Sequence, residues 1–183
     1  MLERIGIPLD VQPAEIDEGV LVGEAPEPYV RRIAREKAMV VASRSGDERW
    51  VLAADTTVTI GGAILGKAES PEEATAMLGR LSARTHQVLT AFVLRRGVVV
   101  REVVVSTDVV MVEIDDATLA DYVASGEWRG KAGAYAIQGI GAALVREIRG
   151  SVTNVIGLPM AEVIDALREV GGPVPRLAAG DPS

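Results

Sequence analysis

The chain has 183 residues, 48% hydrophobic and 25% charged, which fits one domain with a buried core. Its net charge of −7 argues against a nucleic-acid partner, which a basic field would favour, while a few local lysines still admit a small anionic ligand. The absence of cysteine excludes disulfides and thiolate chemistry and accords with a cytoplasmic location, and the absence of any apolar run of about 18 residues excludes a membrane-spanning helix.

In chain order, Leu2 to Gly6 reads as the end of a helix stopped by Gly6, with Ile7-Pro8 opening an extended stretch. Pro28 to Ala42 is predicted to form an amphipathic helix, with Val30, Ile33, Ala34, Ala38 and Val41 on one face. Lys37 lies near the centre of that stripe, where it must snorkel or meet an anion. Trp50 to Ala54 reads as a strand covered on both faces that delivers Asp55-Thr56-Thr57 at its end, and a hairpin over Val58–Ile60 and Ala63–Leu65 follows. Ser70-Pro71-Glu72-Glu73 carries the marks of a helix start, with Ser70 as cap and a helix to about Leu81 facing inward through Ala74, Met77, Leu78 and Leu81.

His86 to Leu94, Val98 to Val105 and Thr107 to Ile114 read as antiparallel strands, with a turn at Arg95-Arg96-Gly97. Asp115 or Asp116 caps a helix ending near Gly126. A glycine-rich loop covers Lys131 to Gly141, and Ala143 to Ile148 is a further strand. Gly157-Leu158-Pro159 introduces a last helix with Met160, Val163, Ile164 and Leu167 inward. Residues 171–183 are expected to form a flexible tail. The pattern is mixed α/β, as one domain over 1–170 or as two lobes sharing a cleft.

A carboxylate directly after an apolar strand, as at Asp55, is costly if buried and unpaired, and strand ends are where open α/β sheets bind ligands; a turn-capping role is the alternative. Asp17 and Glu18 add acids, and Lys37, Lys67 and Lys131 add positive charge. Acids, lysines and glycine loops together suit a triphosphate with a hard divalent cation, Mg²⁺ or Mn²⁺. His86, the only histidine, rules out a histidine-rich metal site and is expected to be structural. No Walker motif, dinucleotide fingerprint or nucleophile elbow is present.

Several segments, in order, resemble the Maf-like nucleotide pyrophosphatases: Ile5-Gly-Ile-Pro8, Ile16-Asp17-Glu18, Ala34-Arg-Glu-Lys37-Ala38, Ala53-Ala54-Asp55-Thr56 and Ile64-Leu65-Gly66-Lys67. The series continues with Leu81-Ser82, His86-x-Val88-x-Thr90, Ser125-Gly126-Glu127, Lys131-Ala-Gly-Ala-Tyr135-x-Ile-Gln138-Gly139 and Asn154-Val-x-Gly157-Leu-Pro159. The resemblance covers about residues 2 to 168. It implies an α/β fold with a mixed sheet and two lobes around a central cleft, similar to inosine triphosphate pyrophosphatases. The loop from Lys131 to Gly139 resembles the branch that hydrolyses dTTP and UTP to the monophosphate and pyrophosphate. By that resemblance Asp55 is the proton acceptor, Asp55 and Glu18 hold the metal, Lys37 and Lys67 hold phosphates with Lys131 nearby, and Thr56 and Gln138 help choose the base. Whether Asp55 takes the water's proton or holds the metal that acidifies it stays open at this level. The amide of Gln138 offers both a donor and an acceptor to a base edge.

Relatives begin with a strand and a Ser-x-Ser-Pro-Arg-Arg segment that grips the triphosphate, and this sequence starts after that point. The expectation is a true start upstream, the alternative a degraded relative acting as a non-catalytic nucleotide-binding regulator of septum formation. The resemblance also allows a homodimer.

Overall fold

The computed structural model describes residues 1–175. A 3-10 turn over Leu2–Ile5 ends at Gly6, whose left-handed φ of 80° lets its N–H reach the carbonyls of Glu3 and Leu2, as the sequence anticipates. Five helices follow: α1 (Pro26–Ser45), α2 (Pro71–Leu81), α3 (Asp116–Ser125), α4 (Val152–Ile156) and α5 (Met160–Glu169). The strands are β1 (Val51–Ile60), β2 (Ala63–Leu65), β3 (Thr85–Arg96), β4 (Val99–Met111) and β5 (Val145–Arg149). They form one sheet in the order β2-β1-β3-β4-β5, and every pairing among the described strands is antiparallel. Thus the mixture lies in helices and strands, not in strand direction, because β1–β2 and β3–β4 are joined by tight two-residue turns that permit only antiparallel return.

The local signals hold. Ser70 Oγ accepts from the Glu73 N–H at the start of α2, Asp115 accepts from the Thr118 N–H at the start of α3, and Gly126 closes α3 in the left-handed conformation. Three expectations change. The strand through Ala54 continues to Ile60, because the β-branched residues Thr56, Thr57, Val58 and Thr59 sustain the extended chain, and Asp55 sits mid-strand instead of at an end. The two runs on either side of Ser106 are one strand, β4, and the turn after β3 falls on Gly97-Val98. The five-residue α4 carries no periodicity to read and appears only in the structure.

The sheet is covered on both faces. Successive strand side chains point to opposite sides, so Ala53, Leu89, Ala91 and Val93 face Val30, Ala34 and Ala38 of α1. On the other face Leu52, Ala54, Phe92 and Leu94 meet Val163, Ala166 and Leu167 of α5, while Val58 and Val88 meet Leu78 and Leu81 of α2 and Tyr122 of α3. β2 pairs with β1 only from Val58 to Ile60, leaving the edge from Val51 to Thr57 without a strand partner on that side among the described residues. Among these residues no helix is long and apolar enough to cross a membrane.

His86 lies within this core, 2% exposed, with Nε2 2.8 Å from the Tyr135 hydroxyl and Nδ1 without a partner. Burial pulls its pKa from 6.5 down to about 4. The folded state therefore binds fewer protons than the unfolded chain between those values, and the stabilisation is present above pH 6.5 and lost as pH falls to 4. At roughly 1.4 kcal/mol per unit, the loss is roughly 3 kcal/mol. Unfolding free energies from urea titrations at pH 7 and pH 4 should show a fall that is smaller by about this amount in His86→Gln; equal falls would contradict the assignment.

Candidate active site

Glu18, Lys37, Asp55 and Lys67 come from four separate segments and meet in one ion cluster. Lys37 projects from α1 toward β1, where its Nζ lies 2.7 Å from Asp55 Oδ1 and 2.7 Å from Glu18 Oε1. Lys67 Nζ lies 3.1 Å from Glu18 Oε2. Lys37 thus neither snorkels freely nor waits for an outside anion; its counter-charges are two carboxylates of the chain itself. Of the two acids in the Asp17-Glu18 pair, Asp17 closes a local turn, its Oδ1 accepting from the Gly19 N–H at 2.8 Å, and only Glu18 faces the lysines.

The loop that carries Glu18 has no regular structure and is held by α1. Tyr29 donates its hydroxyl to the Glu18 carbonyl at 3.1 Å, and Arg32 donates to the Gly19 carbonyl at 2.8 Å while binding both oxygens of Glu24. Tyr29 and Arg32 are site-shaping residues that sequence reasoning missed, since on a helix they read as solvated positions.

Burial and pairing divide the two carboxylates. Asp55, with a side chain 10% exposed, is pushed above the ordinary carboxylate range by burial, and Lys37 only partly reverses this. Glu18 is held below its ordinary value chiefly by the Lys37 hydrogen bond. Burial alone would lower Lys37, but its two carboxylate partners outweigh it and raise it, so the ammonium stays charged. The result is a relatively basic carboxylate beside a firmly ionised one, a division of the kind that acid–base sites use.

Next to the cluster a cavity of about 330 Å³ is lined by Asp55, Thr56, Lys67, Lys131 and Gln138, with apolar walls from Val58, Val88, Val155 and Ile156. All seven residues to which the resemblance assigns a role therefore stand in the cluster, in the cavity lining, or in both. Two close approaches assemble the cavity. Ala132 bridges to Lys67, and Gly133 donates its N–H to the Gly66 carbonyl at 3.0 Å; a Cβ at Gly133 would lie 2.9 Å from Val58, so only glycine fits. Glu127 accepts the N–H groups of Ile140 and Gly141 at 2.9 and 2.7 Å, fixing the loop just beyond Gln138, and a Cβ at Gly139 would lie 1.5 Å from its carboxylate. Glu127, the last residue of the Ser125-Gly126-Glu127 motif, is thus a loop clamp.

Against this geometry the family model for Maf-like proteins matches residues 1–170. The chain belongs to the Maf-like family. A dTTP/UTP pyrophosphatase of Anaeromyxobacter dehalogenans (strain 2CP-C) is 49% identical over 179 residues, covering 96% of this chain and 90% of that protein. The dTTP/UTP pyrophosphatase of Myxococcus xanthus is 49% identical over 175 residues, covering 96% and 88%, and that of Cereibacter sphaeroides is 45% identical over 180 residues, covering 98% and 93%. In this Maf-like chain the donor set also suits a hard divalent cation. Two carboxylates converge on one ammonium, and Mg²⁺ characteristically takes one or two carboxylates and completes its shell with phosphate oxygens and water. No group of three or more acidic, histidine or cysteine ligands is found among the described residues.

Proposed function

We propose that this Maf-like chain is a nucleoside triphosphate pyrophosphatase acting on dTTP and UTP, releasing the nucleoside monophosphate and pyrophosphate. The observation that carries the reading is a half-buried Asp55, raised above the ordinary carboxylate range, in the lining of a cavity that combines charged residues, Lys67 and Lys131, with apolar ones, Val58, Val88, Val155 and Ile156. Such a combination matches a ligand with a phosphate string at one end and a flat neutral base at the other. The names of the relatives supply the substrate class.

A water attacks the α-phosphorus, its new P–O bond forming as the bond to the bridging oxygen of the β-phosphate breaks. Asp55 accepts the water's proton, a task suited to a carboxylate raised above its ordinary range. Lys67 and Lys131, which line the cavity from two loops, neutralise phosphate oxygens. Lys37 keeps Asp55 and Glu18 ionised and in place. A divalent cation held by Glu18, Asp55 and the phosphates would supply further charge neutralisation. Thr56 and Gln138 contact the base.

Pyrophosphate release from dTTP, UTP, ATP and GTP, with Mg²⁺ or Mn²⁺, tests this. Turnover of dTTP and UTP ahead of the purines is expected; tight dTTP binding with no turnover under either metal would favour a non-catalytic nucleotide-binding role instead.

A further inference from the structure

We propose that Thr90, buried behind the cavity wall, fixes the hydrogen-bonding sense of the Thr56 hydroxyl so that Thr56 can only accept from a ligand, and that this selects bases presenting an N3–H, uracil and thymine, over cytosine. The inference rests on the nucleotide reading of the cavity given above. Thr56 and Thr90 are direct partners across β1 and β3, so their side chains leave the same face of the sheet, with Oγ1 atoms 2.9 Å apart. Thr90 is 0% exposed, and its Oγ1 lies 3.0 Å from the main-chain carbonyl of Asn154.

A carbonyl only accepts, and a hydroxyl has a single proton. The proton of Thr90 is therefore committed to Asn154, and the contact between the two threonines requires Thr56 to donate. The Thr56 proton points into the protein, and only its lone pairs are left for the cavity it lines.

The carbonyl that orders this relay is itself immobilised. It also accepts the Gly157 N–H at 2.9 Å, and the side chain of Asn154, 0% exposed, donates to the Val88 carbonyl and to Thr107 Oγ1, each at 3.0 Å. Asn154 thereby ties α4 to β3 and β4, and with it the apolar wall at Val155 and Ile156. The other cavity groups do not set the same sense. The lysines only donate, the Asp55 carboxylate is engaged by the Lys37 ammonium in the ion cluster, and the exposed amide of Gln138 turns to present either of its ends.

Uracil and thymine carry a proton at N3, which an acceptor-only Thr56 receives. Cytosine presents a lone pair there, and the unmatched acceptor is penalised.

Equilibrium binding of non-hydrolysable α,β-methylene analogues of UTP and CTP, with Mg²⁺, reads this on the full chain without turnover. The wild type is expected to bind the UTP analogue about tenfold tighter or more. Thr90→Val keeps the shape but removes the acceptor, releasing the Thr56 proton to the cavity and bringing the ratio near unity, whereas Thr90→Ser restores it. Thr56→Val, at a half-buried position, also collapses the ratio, by weakening the UTP analogue alone. A purely structural Thr90 would weaken both analogues in parallel. Equal binding by the wild type, or an unchanged ratio in Thr90→Val or in Thr56→Val, overturns the inference. Discrimination between the analogues without pyrophosphate release from dTTP or UTP would support the relay and remove the hydrolase reading.

Discussion

Asp55→Asn is expected to lower the rate of pyrophosphate release from dTTP by about 10³-fold while leaving the thermal midpoint unchanged or higher. The amide keeps an oxygen for the Lys37 hydrogen bond, now 2.7 Å long, but it cannot take a proton from water. Loss of a positioned general base costs about 10² to 10⁴ in rate. The stability half of the expectation follows from the sign of the shift. Asp55 is raised above 3.8 by burial, so the folded state holds its proton more tightly than the unfolded chain does. Its contribution is favourable below pH 3.8 and is lost as pH rises through the folded-state value, which makes the ionised carboxylate a burden at neutral pH. Turnover under saturating metal and melting curves at pH 7.5 check both halves. Activity within about tenfold of wild type would remove Asp55 from the role of base.

Lys37→Met is expected to cost about 2 kcal/mol or more of stability at pH 8 and to abolish turnover. Removing one partner of a buried ion pair leaves uncompensated charge, at about 3 to 5 kcal/mol when burial is complete; Lys37 retains a side-chain exposure of 19%, which reduces the figure. Here two carboxylates lose the same ammonium, and Glu18 and Asp55 are left to repel each other. Without the lysine their pKa values rise, so the loss should shrink as pH falls toward 5 and both become neutral. Lys67→Met is the contrast. Its side chain is 58% exposed and its one salt bridge among the described residues is to Glu18, so stability should move by no more than about 0.5 kcal/mol while KM for dTTP rises. Urea midpoints at pH 8 and pH 5 for the two variants separate these cases; a Lys37→Met loss that does not depend on pH would contradict the account.

Much of the molecule was legible because much of it is locally specified. The caps Ser70 and Asp115 act on N–H groups three residues ahead, Gly6 and Gly126 supply left-handed φ values at helix ends, and α5 declares its buried face through Val163 and Leu167. The strand ends were less legible. Asp55 looked terminal because apolar character stops at Ala54, yet strand pairing with β3 continues through Thr56 and Thr57, whose backbones do not care about polarity. The short α4 escaped because five residues cannot show a 3.6-residue period, and its Asn154 is explained only by partners on β3 and β4. Glu127 was visible as a motif, but its purpose depends on a loop 13 and 14 residues away.

The sequence by itself determined the helices, the turns, the family pattern and the inventory of acids and lysines, since each rests on neighbours within a few residues or on order along the chain. The tertiary structure decided which carboxylate became basic and which way the Thr56 proton turns. Those properties arise between groups 18, 34 and 64 residues apart, at Lys37–Asp55, Thr56–Thr90 and Thr90–Asn154, where burial and hydrogen-bond direction exist only after the segments have packed.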